Sequence, residues 1–162
     1  MIAKTLTLVQ TKRKELIRFF KFAIVGTIGA AVDFGTLYLL HPVAGLPIAL
    51  ANTCSFTAAV ISNFIWNRYW TYPDSRSKHV RTQLAQFSVV NVVGWGINTG
   101  LLLLLRFHCV SLVGSLSQHL PVVLEAELTY KLGYNLAKAI ATVVVLFWNF
   151  FINRFWTYSD VE

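Results

Sequence analysis

The sequence predicts an all-α integral membrane protein with four transmembrane helices built as two parallel two-helix repeats, and three observations carry that prediction. The composition is 56% hydrophobic and 14% aromatic with only 13% charged residues, outside the range of soluble globular domains. Four stretches approach or exceed the roughly 20 apolar residues that cross a bilayer. The phrase NFIWNRYWTY, Asn63 to Tyr72, returns as NFFINRFWTY, Asn149 to Tyr158, with seven of ten positions identical.

The first span is expected at about residues 19–40, behind a basic N-terminal arm, MIAKTLTLVQTKRKELIRFFKF. The apolar run begins too late for a secretory signal and shows no small-residue cleavage pattern before Asp33, so the arm is read as retained. The second span, about 43–66, carries no charge, and the third, about 84–105, ends in the leucine run Leu101 to Leu105. The fourth is expected at about 133–152. Between them, His41 to Pro47 reads as a tight outer turn and Pro73, Asp74 and Ser75 as an inner turn. Arg106 to Leu132, with Gly114, Pro121, Glu125 and Glu127, reads as a longer outer segment with a short interfacial helix. Residues 1–162 form a single transmembrane domain, with repeat one at 16–72 and repeat two at 82–158.

The formal charge of +7 does not indicate nucleic acid, because the basic residues lie at the ends of apolar segments. Eleven of the fourteen, Lys4, Lys12, Arg13, Lys14, Arg18, Lys21, Arg68, Arg76, Lys78, Arg81 and Arg154, fall on one side of the predicted spans. Only Arg106, Lys131 and Lys138 fall elsewhere, so the positive-inside rule places both termini in the cytoplasm. The two cysteines, Cys54 in a span and Cys109 in the outer segment, supply neither a disulfide framework nor a metal site. The histidines His41, His79, His108 and His119 are scattered, and no nucleophile elbow, phosphate loop or dinucleotide motif occurs. No catalytic residue, metal or cofactor is therefore expected, and transport would be driven by gradients or by product consumption.

The repeat reaches beyond the phrase. A shift of 65 positions carries FAIVGTIGAAVDFGTLYLL from Phe22 onto FSVVNVVGWGINTGLLLLL from Phe87, placing Gly29 on Gly94 and Asp33 on Asn98. A shift of 86 carries Asn63 onto Asn149, and with it Asn52 onto Lys138. Each half has two spans and so enters from the same side, which makes the repeat parallel.

With its basic arm, F-x-x-V-G-x-x-G-A-x-V-D in span one and N-F-x-x-N-R-x-W-T-Y closing span two, the chain resembles the GtrA-like family over nearly all of Leu16 to Tyr158. The likeness rests on Gly26, Gly29, Asp33, Asn63, Phe64, Asn67, Arg68 and Trp70, with Asn149, Phe150, Asn153, Arg154 and Trp156 in the second half. The resemblance implies a multi-pass inner-membrane protein that moves polyprenyl-phosphate-linked sugars across the membrane in cell-surface polysaccharide glycosylation.

The chemistry of the unusual residues leaves two readings open at each position. Arg68 and Arg154, with Asn67, Asn153, Lys21, Trp70 and Trp156, suit a lipid phosphate at headgroup level, since a guanidinium grips phosphate in two places. The same residues also suit simple anchoring of helix ends. Asp33 lies about 20 Å along the helix from the inner boundary, where a carboxylate facing lipid costs roughly 3 kcal/mol or more. With Asn52, Asn98 and Lys138 it would form a polar layer for sugar hydroxyls, or an ion pair and hydrogen bonds that hold the helices together. The alternative to transport is a non-transporting membrane partner that recruits or stabilises a glycosyltransferase. The expected partners are therefore the lipid-linked sugar, membrane lipids, a glycosyltransferase on that alternative, and a second copy of the chain, since four helices enclose little space. A small-solute exporter is the third reading, with Asp33 as a cation or proton site.

Overall fold

The computed structural model describes the backbone of residues 2–118 and 125–161, and the side chains from Gln10 onward. Every element among the described residues is helical: α1 (Ile2–Tyr38), α2 (Ile48–Trp66), α3 (Val80–Ser117) and α4 (Ala126–Ile152). Each is long and apolar enough to cross a membrane. By composition and length, this is an integral membrane protein with four spans.

Three of the helices end in a widened π-helical turn, Leu39–Val43 after α1, Asn67–Thr71 after α2 and Asn153–Thr157 after α4. At the first, Pro42 has no N–H to continue the α-helical ladder. The amide of Ala44 therefore reaches back five residues to the Leu39 carbonyl at 3.0 Å. Gly45 then reverses the chain at φ 73°, a region open to glycine, and His41 Nδ1 lies 2.8 Å from the Leu46 carbonyl. The duplicated phrase folds the same way twice: the Tyr72 amide donates to the Asn67 carbonyl and the Tyr158 amide to the Asn153 carbonyl, both at 2.8 Å.

The chain forms two compact units, Met1–Ser88 with Asn153–Glu162, and Val89–Ile152. In the first, α1 packs on α2, whose Ala51, Ser55 and Ala59 are buried at a spacing of four on one face. Gly29 makes the approach possible, because a Cβ there would lie 2.2 Å from Oδ1 of Asn63. In the second unit Gly133, Ala137 and Ala141 are buried at the same spacing on α4. A Cβ on Gly133 would lie 2.4 Å from Cα of Val110 on α3, and one on Gly94 would lie 2.7 Å from Oδ1 of Asn149. The remaining faces are apolar and open, as with Phe34 at 72% exposure, and fit lipid contact.

One expectation is corrected. Residues 106–117 are not an outer connecting segment but continue α3, which at about 1.5 Å per residue runs roughly 57 Å, and residues 126–132 belong to α4. No proline interrupts the run after Arg106, whose guanidinium lies 4.5 Å over the Phe107 ring, so the charge does not end the helix. His119 and Pro121 lie outside the described residues. Cys109, read as a reachable loop residue, is thus a helical side chain only 6% exposed. It is expected to resist a membrane-impermeant thiol reagent in sealed vesicles and to react once the protein is unfolded. Rapid labelling in intact vesicles would contradict the packing of α3.

Candidate phosphate site at the basic helix ends

The candidate side chains of the first unit gather where the basic part of α1 meets the end of α2, the turn 72–79, the start of α3 and residues 153–161. The widened turn after α2 carries Asn67, Arg68 and Thr71 into buried positions, and the one after α4 does the same for Asn153 and Thr157. Immediately beyond them, the rings of Tyr72 and Tyr158 stack with centroids 4.4 Å apart and planes 17° from parallel. Burial, above all, raises the pKa of both hydroxyls, so they stay protonated.

Around this stack the charges are arranged unequally. Arg18, 3% exposed, donates to Oε1 of Glu15 and Oδ2 of Asp74, each at 2.6 Å, and lies 5.7 Å from the Tyr72 ring centroid. Lys14 adds a 3.3 Å contact to Asp74. Burial raises the Asp74 pKa, but a backbone hydrogen bond, Arg18 and Lys14 outweigh it, and the net shift is downward. Arg154 donates from Nε to both oxygens of Glu15, at 3.0 and 3.1 Å. Glu15 thereby serves Arg18 and Arg154 together.

Among the described residues Arg68 has no such counter-ion. It is 5% exposed, and its Nε and Nη1 are buried without a hydrogen-bond acceptor. Among the described residues, the two arginines that the duplicated phrase makes equivalent therefore differ: Arg154 is paired with Glu15 and Arg68 has no carboxylate partner. Asn153 accepts from the Thr157 hydroxyl at 2.8 Å, whereas Oδ1 of Asn67 and the hydroxyl of Thr71 are buried without partners. Lys21 donates to the Trp70 carbonyl at 3.2 Å and sits 5.4 Å from that ring. Trp156 is half-exposed, and its carbonyl accepts from Nζ of Lys78 at 2.6 Å.

The residues expected in a polar layer are placed as follows. Asp33 is partly buried with Oδ1 lacking an acceptor or donor partner, and Asn52 is exposed on α2. In the other unit Asn98 is partly buried on α3 and Lys138 exposed on α4.

Sequence reasoning missed an aspartate pair. Asp74 and Asp160 stand two residues beyond the phrase in both copies, and the same shift of 86 relates them. Asp160 is the more heavily bonded. Its Oδ1 accepts from the Ser75 hydroxyl at 2.5 Å, and its Oδ2 accepts from the Ser77 amide and hydroxyl and the Lys78 amide at 3.0, 2.9 and 3.3 Å. Gln83, fully buried, donates to the Ser75 hydroxyl at 2.6 Å. The shift of 65 carries Arg18 onto Gln83, so each aspartate is served by the equivalent position of a first helix, by charge in one half and by an amide network in the other.

A membrane domain with a cationic, aromatic rim at one set of helix ends is what the fold and this site define. Residues 21–158 match the GtrA/DPMS transmembrane domain family, and the chain belongs to that family. It is 29% identical over 154 residues to the uncharacterized membrane protein YngA of Bacillus subtilis (strain 168), covering 93% of this chain and 85% of that one. It is also 32% identical over 84 residues to a dolichol-phosphate mannosyltransferase of Pyrococcus furiosus, a match spanning 52% of this chain and 24% of the longer protein.

Proposed function

We propose that this protein moves polyprenyl-phosphate-linked sugar across the inner membrane for cell-surface polysaccharide glycosylation, as a facilitator that makes and breaks no covalent bond. The carrying observation is the match across residues 21–158 to the GtrA/DPMS transmembrane domain family. The basic arm places both termini in the cytoplasm by the positive-inside rule, and the two halves act as a parallel pair of repeats. The phosphate is held at the rim of Lys21, Asn67, Arg68, Trp70, Asn153, Arg154 and Trp156. Polar side chains serve the sugar in each unit, Asp33 and Asn52 in the first and Asn98 and Lys138 in the second, while the lipid tail stays in the bilayer and a second copy of the chain widens the path. Liposomes containing the purified protein and no other should move a polyprenyl-phosphate hexose between leaflets faster than protein-free liposomes. A rate at background removes the proposal.

One observation favours a second reading. The match to part of a chain named as a mannosyltransferase shows a related segment within a longer protein bearing a transferase name. On this reading the domain recruits or stabilises a glycosyltransferase in the membrane. Co-purification with a transferase together with background movement in liposomes selects it.

A further inference from the structure

We infer that the chain holds one phosphate head group at a single site, the cavity in front of Arg68, and that the equivalent Arg154 is closed to phosphate by Glu15. The inference rests on the lipid-phosphate reading above and narrows it to one site: it keeps Arg68, takes Arg154 out of direct phosphate contact, and adds Arg76, Ser77, Lys78 and His79. The cavity, about 260 Å³, is lined by Arg68, Arg76, Ser77, Lys78, His79 and Val80.

Three features make it an anion site. First, a guanidinium nine-tenths buried and, among the described residues, without an acceptor on two of its nitrogens is costly unless a further group completes it. Among the described residues no carboxylate forms an ion pair with Arg68, Arg76 or Lys78. Among the described residues these neighbours meet carbonyls and a ring: Arg76 donates to the Arg68 and Ser75 carbonyls at 2.9 and 3.0 Å and lies 5.0 Å from the Tyr69 ring centroid, and Lys78 donates to the Trp156 carbonyl. These bonds fix the side chains and leave their charge uncompensated.

Second, Val80 begins the 38-residue α3, so the wall of the cavity includes the start of a helix whose first amides have no acceptors within it and whose dipole favours negative charge. Third, Asp160, a nearby carboxylate that could compete, is engaged by Ser75, Ser77 and the Lys78 amide. Arg68, Arg76 and Lys78 around one cavity whose wall includes the start of α3 suit the tetrahedral oxygens of a phosphate ester. Arg154 lacks this opening because both Glu15 oxygens already occupy it.

The test is equilibrium binding of farnesyl phosphate, farnesol and inorganic phosphate to the purified full chain in neutral detergent. Farnesyl phosphate should bind once per chain and farnesol should not bind. Arg68→Lys should weaken binding about tenfold or more, since a lysine loses the planar fork, whereas Arg154→Lys should leave it within about twofold, a few tenths of a kcal/mol. Competition by inorganic phosphate at similar concentration would support the anion site and assign it to free phosphate. Failure to compete assigns it to the lipid head group. Arg68→Gln supplies a readout independent of the ligand, because removing an uncompensated buried charge should raise the unfolding temperature of the ligand-free protein. Equal losses from Arg68→Lys and Arg154→Lys, or undiminished binding in Arg68→Gln, would overturn the single site. Intact binding without transbilayer movement would keep the site and remove translocation. Movement insensitive to Arg68→Lys would do the reverse.

Discussion

Gly133→Ala is expected to be the most damaging single-methyl change in the protein. The added Cβ would fall 2.4 Å from Cα and 2.7 Å from the backbone nitrogen of Val110, and backbone atoms cannot turn aside as a side chain can. The two helices must separate or bend, a kind of overpacking that costs about 1–3 kcal/mol and occasionally more. Alanine recovers about 1 kcal/mol of helix propensity over glycine, so the sign is decided by the clash, and the net loss should be about 2 kcal/mol. Trimming Val110 to alanine should not rescue it, since the obstruction is Cα and N. Gly29→Ala provides the contrast, for its neighbour is the Asn63 side chain, and Asn63→Ala in the same chain should restore most of the loss. Gly35→Ala, where nothing lies within 4 Å, should be neutral or stabilising. Unfolding midpoints in detergent check all three. An unaffected Gly133→Ala protein would contradict the packing of α3 on α4.

Asp160→Ala should have the second largest effect on stability. The carboxylate gathers donors from Ser75, Ser77 and Lys78, and its removal leaves the end of the chain unclasped from the turn before α3. Bonds to a charged acceptor contribute about 1.5–3 kcal/mol each where buried, and for this partly exposed group a loss of about 2 kcal/mol is expected in total. Burial raises the pKa of Asp160, but the hydroxyls of Ser75 and Ser77 and the Lys78 amide outweigh it, and the net shift is downward. A carboxyl depressed on folding stabilises the protein above its unfolded pKa of about 3.9. That contribution fades as pH falls toward the folded value. The gap between wild type and Asp160→Ala should therefore be full near neutral pH and shrink below about pH 4. A gap constant down to pH 3 would show that Asp160 is not bonded as an anion.

The four helices were legible because bilayer crossing demands a long apolar run, and no other requirement produces the uncharged stretch of α2 or the leucines of α3. The ends of α3 and α4 were not, because Arg106 was read as a boundary although its guanidinium settles on the neighbouring Phe107 ring and the helix continues. The duplicated phrase marked both basic ends correctly, yet it suggested that Arg68 and Arg154 are alike. What separates them is Glu15, 139 residues from Arg154, and no spacing rule joins positions so distant. Asp74 and Asp160 could have been found by extending the alignment two residues past Tyr72 and Tyr158. The widening of the helix at Asn67 and Asn153 had no signature in the residue pattern.

The phosphate as the handle on which the lipid-linked sugar is moved is tested most directly in protein-only liposomes, by comparing a polyprenyl-phosphate hexose with a neutral polyprenyl glycoside of equal chain length. The account predicts that the phosphate-bearing lipid crosses faster than in protein-free liposomes, that the neutral one stays at background, and that Arg68→Lys slows the first about tenfold. Equal movement of the two lipids, or none of either, would contradict it.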